Sequence, residues 1–231
     1  LDFFLDRGVI RPDLRNDAEL EQVHWATNRQ GRMGGDWSTM RVFAFDHRGQ
    51  LEDMPGYTLE KGGAFKELCL AAALKVADGQ AGYGILCDNR IGRRALHAAS
   101  GTGLWIGRPC EWPGSRPLQL EPELGADCGG LEAWAREDVV KVLCFCHPDD
   151  DDQMRAAQEA TVTRLFQAAR RNGLEFLLEV IPSKVGPVDD MTTARLIRRW
   201  YEIGVYPDWW KLEPMTSRAG WENAIAAIEA H

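Results

Sequence analysis

From residue 40 onward the chain alternates between two hydrophobic rhythms. Short, nearly continuous apolar runs predict strands over 40–47 (MRVFAFDH), 83–89 (YGILCDN), 103–112 (GLWIGRPCEW), 138–147 (DVVKVLCFCH), 174–183 (LEFLLEVIPS) and 208–214 (DWWKLEP). Between them, stretches with helical spacing predict helices over 62–79, 150–173, 189–204 and 217–231, with a shorter one in GRRALHAAS. Apolar strands that alternate with helices indicate a parallel sheet covered by helices. No Gly-x-Gly-x-x-Gly follows any strand, which argues against a dinucleotide-binding sheet. The fold class predicted is therefore α/β, a (β/α)8 TIM barrel. Only six β–α units are counted, and a closed barrel of typical size takes roughly 250 residues. The barrel thus reads as truncated after its sixth unit.

Residues 1–38 do not share this rhythm. They are charged and irregular, with one amphipathic helix predicted in RNDAELEQVHWATNR, capped by Asn16 or Asp17, and a loop in RQGRMGGDWS. The segment reads as a linker running into one barrel domain over 39–231, and the leucine at position 1 suggests a piece of a longer protein. A net charge of −8 and a pI near 5.2 argue against nucleic acid as a partner, because that role needs a basic surface. No apolar run approaches the roughly 20 residues of a membrane span. The acidic N-terminus has no signal-peptide pattern, so a cytoplasmic location is expected. Six cysteines (Cys69, Cys87, Cys110, Cys128, Cys144 and Cys146) lack the paired C-x-x-C spacing of a zinc site. Buried free thiols of a reducing compartment are expected instead.

Polar residues gather at the C-terminal ends of nearly all the strands: Asp46 and His47, Asp88 and Asn89, Arg108 and Glu111, His147, Glu179, Lys211 and Glu213. Barrel enzymes carry their catalytic groups on that face. Strand parity puts Trp209, Lys211 and Glu213 on one face, Lys141 with Leu143 and Phe145, Glu179 with Leu177, and Asp46 with Ala44 and Val42. A closed barrel could bring Lys211, Lys141, Glu179 and Asp46 together inside. Two lysines and two carboxylates in a low-dielectric site must pair. Desolvation and a neighbouring ammonium can also free a lysine amine to attack a ketone. The plainer reading is a structural ion-pair network of a barrel core. Ser115 and Arg116, in EWPGSRPL, could grip a carboxylate or phosphate, or form a surface turn. HPDDDDQ looks like a metal site, but aspartates at a helix start more often cap it, and no metal is expected. His24 and His97 read as surface or packing residues, and most of the tryptophans as core.

Several of these motifs come in a familiar order. VFAFDHRGQL, ILCDN, VKVLCFCHPD, FLLEVIP and DWWKLEP resemble the class I aldolases similar to tagatose-bisphosphate aldolase. The resemblance puts that family's strand-one Asp and Arg-Gly on Asp46, Arg48 and Gly49. It puts the strand-four lysine on Lys141, the strand-five glutamate on Glu179 and the Schiff-base lysine on Lys211. His47 departs from the family's usual glutamine. RPCEWPGSRPLQLE and PDWWKLEP resemble more closely an aldolase-like domain fused behind 5-dehydro-2-deoxygluconokinase in bacterial myo-inositol catabolism, and FFLDRGVIRPDLRNDAELEQVHWAT resembles the segment that joins that kinase to it. That family continues for two more β–α units, whose loops commonly hold a substrate phosphate in such barrels.

The resemblance implies a metal-independent lyase with no cofactor. Its substrate would be a phosphorylated keto-sugar acid, 6-phospho-5-dehydro-2-deoxy-D-gluconate, cleaved to dihydroxyacetone phosphate and malonate semialdehyde. Lys211, Lys141, Glu179 and Asp46 would be catalytic, and His47, Arg48, Asp88, Arg116, Ser115 and Glu213 would bind substrate. A fused sugar kinase domain and a homo-oligomer are the implied partners, with no nucleic acid and no membrane. The competing reading is a non-catalytic sugar-phosphate-binding or assembly domain of that kinase, which borohydride trapping distinguishes.

Overall fold

The computed structural model describes residues 40–231, and the helix and loop expected over 1–38 lie outside them. Six strands form: β1 (Arg41–Ala44), β2 (Tyr83–Leu86), β3 (Trp105–Pro109), β4 (Asp138–Cys144), β5 (Glu175–Val180) and β6 (Trp209–Leu212). Each lies inside a predicted run. They follow one another in sequence order across a six-stranded sheet, and the pairs β1–β2, β2–β3 and β5–β6 are parallel. The helices are α1 (Gly49–Glu52), α2 (Leu59–Ala77), α3 (Arg93–Ala99), α4 (Asp152–Arg171), α5 (Thr192–Glu202) and α6 (Arg218–Glu229). Only two 3-10 turns, Pro122–Leu124 and Gly129–Ala133, interrupt the long stretch between β3 and β4. A sheet of parallel strands in sequential order, with helical crossovers, is the (β/α)-barrel type of α/β fold.

The described residues pack as two compact units. One comprises 40–109, 131–140 and 169–175, and the other comprises 110–130, 141–168 and 176–231. In the first, Phe45 just past β1, Ile85 of β2 and Ile106 of β3 pack with Cys69 and Leu70 of α2 and Leu96 of α3. Gly84 pairs with Trp105 across β2–β3, where a Cβ would sit 2.8 Å from the Trp105 carbonyl oxygen, so only glycine fits. The α2 helix starts three residues earlier than predicted because the Thr58 hydroxyl accepts the Lys61 N–H at 3.2 Å. The four residues of α1 are too few for a periodic signal. All six cysteines are free and buried.

In the second unit Ala194, Ile197 and Tyr201 of α5 meet Ala224 and Ala227 of α6, with Trp210 and Leu212 of β6 packed against them. The Trp210 N–H donates to the Tyr201 hydroxyl at 2.9 Å. With Trp210 and Leu212 anchored to the helices, the two-residue period turns Trp209 and Lys211 to the opposite face of the strand. That explains a lysine next to two tryptophans in DWWKLEP.

Candidate active site

The β5–β6 register pairs Glu179 with Lys211, so the two side chains rise side by side from one face. The Lys211 Nζ lies 2.6 Å from Glu179 Oε1. The other oxygen of that carboxylate, Oε2, lies 2.9 Å from Lys141 Nζ of β4. Lys141 in turn donates to Glu111 Oε1 at 3.2 Å, and Glu111 Oε2 accepts the Leu143 N–H at 3.0 Å. The result is a chain of alternating charge, Glu111–Lys141–Glu179–Lys211. Lys141 and Glu179 each face a partner on two sides, which offsets the cost that a lone buried ion would carry.

Exposure divides the two lysines. The Lys141 side chain is 3% exposed and that of Lys211 39% exposed. Both lysines are expected inside a closed barrel; the structure covers Lys141 and leaves Lys211 half-exposed. The cause is topological: β6 ends the strand order and its four residues are all half-buried, whereas β4 lies inside the sheet with all but Leu143 covered. Lys211 is thus an amine that solvent can reach, beside a carboxylate that solvent barely reaches.

Glu111 is a member of this cluster that the sequence reading names only as a polar strand end. The β3 ladder stops at Pro109, and Glu111 is fixed by an isolated antiparallel bridge to Leu120, a contact with no periodic signature. Beyond β6, Glu213 accepts the N–H of Ser183 at 3.0 Å and also its hydroxyl, tying the strand end to the Pro182–Lys184 turn. The Ser115 hydroxyl donates to the Trp112 carbonyl at 2.8 Å and accepts the Gln119 N–H at 2.9 Å, closing its own turn. Arg116 donates to the Phe145 carbonyl at 3.1 Å and pairs with Asp150.

The aspartate run after β4 has four separate duties. Asp149 pairs with Arg195 at 2.6 Å, Asp150 accepts the His147 N–H at 3.0 Å, Asp151 accepts the Met154 N–H at 2.8 Å, and Asp152 pairs with Arg155. The Arg195 hydrogen bond holds the Asp149 carboxyl below its ordinary range. His147 accepts the Asp149 N–H on Nδ1 at 3.2 Å, which leaves Nε2 to donate to the Pro187 carbonyl at 2.9 Å. Among the described residues no group of three His, Cys, Asp or Glu is placed to hold a metal ion.

Asp46, His47, Arg48 and Asp88 belong to the other unit. Asp46, Arg48 and Asp88 are buried there, whereas the His47 side chain is exposed. Asp88 pairs with Lys66, a fully buried lysine of α2, and accepts the Ile91 N–H at 2.6 Å. Lys66 also donates to the His47 carbonyl at 2.9 Å. The sequence reading does not single out Lys66. Gly62, Lys66, Cys69 and Leu70 form the buried face of α2, but apolar residues stand on its other faces too, so the spacing alone does not single Lys66 out.

Fold and site together describe an α/β protein of the (β/α)-barrel type, with a paired-lysine cluster carried by β4, β5 and β6. The chain belongs to the family described as "Uncharacterized protein conserved in bacteria" (DUF2090), whose model matches residues 1–231. No curated protein matches it. A solved structure similar to it is the fructose-bisphosphate aldolase of Plasmodium falciparum, in complex with TRAP and a small-molecule inhibitor. The two are 10% identical with a TM-score of 0.58, over 94% of this chain and 73% of that one. A likeness at that identity is one of fold, and the fold is of the aldolase type. No helix among the described residues is long and apolar enough to cross a membrane.

Proposed function

We propose that this chain is a carbon–carbon lyase of the class I aldolase kind, which works through a Schiff base and needs no metal or other cofactor. One observation carries the reading: the Glu179 carboxylate stands 2.6 Å from the half-exposed Lys211 ammonium and 2.9 Å from the buried Lys141 ammonium. Lys211 is the amine that a ketone can approach. It passes a proton to Glu179 and adds, neutral, to the ketone carbon; that proton then leaves with the carbinolamine hydroxyl as water, which gives a protonated imine and restores the Glu179 carboxylate. That imine accepts the electron pair of the bond between its α and β carbons as the bond breaks, leaving an enamine. The hydroxyl on the departing carbon must lose its proton so that this carbon leaves as an aldehyde. Glu179, already in contact with Lys211, is suited to take it. Asp46 is the second candidate by the family resemblance alone. Lys141, held by Glu111, keeps Glu179 in place.

The resemblance to tagatose-bisphosphate aldolase-like enzymes, and to the domain fused behind a sugar kinase, gives the substrate: 6-phospho-5-dehydro-2-deoxy-D-gluconate, cleaved to dihydroxyacetone phosphate and malonate semialdehyde. A fold like that of a fructose-bisphosphate aldolase supports a phosphorylated sugar as the class. The test is borohydride reduction in the presence of this substrate, followed by peptide mass spectrometry. A reduced adduct on Lys211, absent from Lys211→Ala, is the expected result. An adduct that persists in that variant moves the imine to Lys141. No adduct on the native chain, with substrate shown to bind, leaves the non-catalytic sugar-phosphate-binding reading in its place.

A further inference from the structure

A cavity of about 380 Å3 is lined by α4, α5 and the turn after β4, and the lyase reading uses none of it. Four arginines stand in its wall. Arg199 is gripped by Glu159 through two hydrogen bonds of 2.7 and 2.8 Å, Arg195 is paired with Asp149, and Arg155 with Asp152. The fourth, Arg198, is half-buried and has no hydrogen bond or ion pair among the described residues. Trp200 lines the same cavity at 2% exposure, and its indole N–H has no acceptor among the described residues. A buried N–H without an acceptor is unfavourable and calls for an explanation. Here it shares a cavity with a guanidinium that has no counter-charge, in a wall where the other three arginines are matched.

We propose that this cavity binds a small molecule through an oxyanion, a carboxylate or a phosphate, which accepts hydrogen bonds from the Arg198 guanidinium and the Trp200 indole. Both donors then gain the partner they lack, and the planar fork of arginine suits either group. The volume is that of a small-metabolite site. The Arg199–Glu159 pair fixes the neighbouring wall, so Arg198 alone remains to meet the ligand's charge.

The test uses the whole chain with 15N-labelled tryptophan, titrated separately with inorganic phosphate and with malonate at ionic strength fixed by sodium chloride. Loss of one indole resonance in Trp200→Phe assigns the signal. That resonance should shift saturably with at least one anion, and which anion works identifies the group. Arg198→Ala should raise the apparent Kd at least about tenfold, the scale expected of a charged hydrogen bond. If Trp200→Phe does not fold, the Arg198 variant, altered at a half-exposed position, carries the test alone. A resonance that neither anion moves, a shift that chloride reproduces, or an unchanged Kd in Arg198→Ala overturns the proposal.

Discussion

Glu179 is shared by two cations, so its charge matters more to the cluster than that of any single lysine. Replacing it with glutamine keeps the volume and removes the charge. We predict that Glu179→Gln lowers the rate of substrate cleavage by about 10²-fold or more, the usual scale for a general base. Lys141 keeps Glu111 at 3.2 Å in that variant, so its thermal unfolding should still show one folded chain. Normal turnover would transfer the proton step elsewhere, with Asp46 the next residue to test. Lys66 behaves differently, because Asp88 is 1% exposed and depends on it. Lys66→Met should cost about 3–5 kcal/mol in urea unfolding, by leaving a buried carboxylate uncompensated. Adding Asp88→Asn should restore part of that loss. If Lys66→Met is as stable as the native chain, the pair is not what holds α2 to the end of β2.

At the scale of elements, the entry to α5 is built by Asp189. Its Oδ1 accepts the Met191 N–H at 2.9 Å and the Thr192 hydroxyl at 2.7 Å, while its own N–H donates to Thr192 Oγ1 at 2.9 Å. The Thr192 hydroxyl bond, then the Met191 amide, hold this carboxyl below its ordinary value of 3.8. The unfolded chain therefore binds the proton more readily than the folded one, and the stabilisation is present above 3.8 and lost as the pH falls through the lower folded value. Asp189→Ala should melt at a lower temperature than the native chain at neutral pH. The gap should close in acid, and a gap that stays constant would show that charge plays no part. Elements of this kind are largely legible in the sequence. The six apolar runs all became strands; parity grouped residues within each strand, and the β5–β6 register is what sets Glu179 beside Lys211. Glu111 and Lys66 were not legible in the same way, because each is fixed by a partner distant in sequence rather than by a period.

On the scale of the whole molecule, α2 is the element whose sequence says least about its surroundings. AFKELCLAAALKVA is apolar on all sides, so periodicity cannot tell which face is covered. In the fold Lys66 is fully buried, while Phe65, Leu68 and Val76 are 49%, 70% and 65% exposed. These three lie along one stripe of the helix. In the same unit Val42 and Phe43 of β1 are exposed as well, on a strand that ends the sheet order. An apolar stripe and a strand that ends the sheet order among the described residues are features that invite another chain to pair. We predict that a second copy covers this face, so that the mass from light scattering rises with concentration above the 25.9 kDa of one chain. Phe65→Glu combined with Leu68→Lys should return the mass to that of one chain without lowering the melting temperature, since side chains so exposed contribute little to the fold of a single copy. A monomer at every concentration, or association unchanged by the double substitution, would show that this face is not where copies meet.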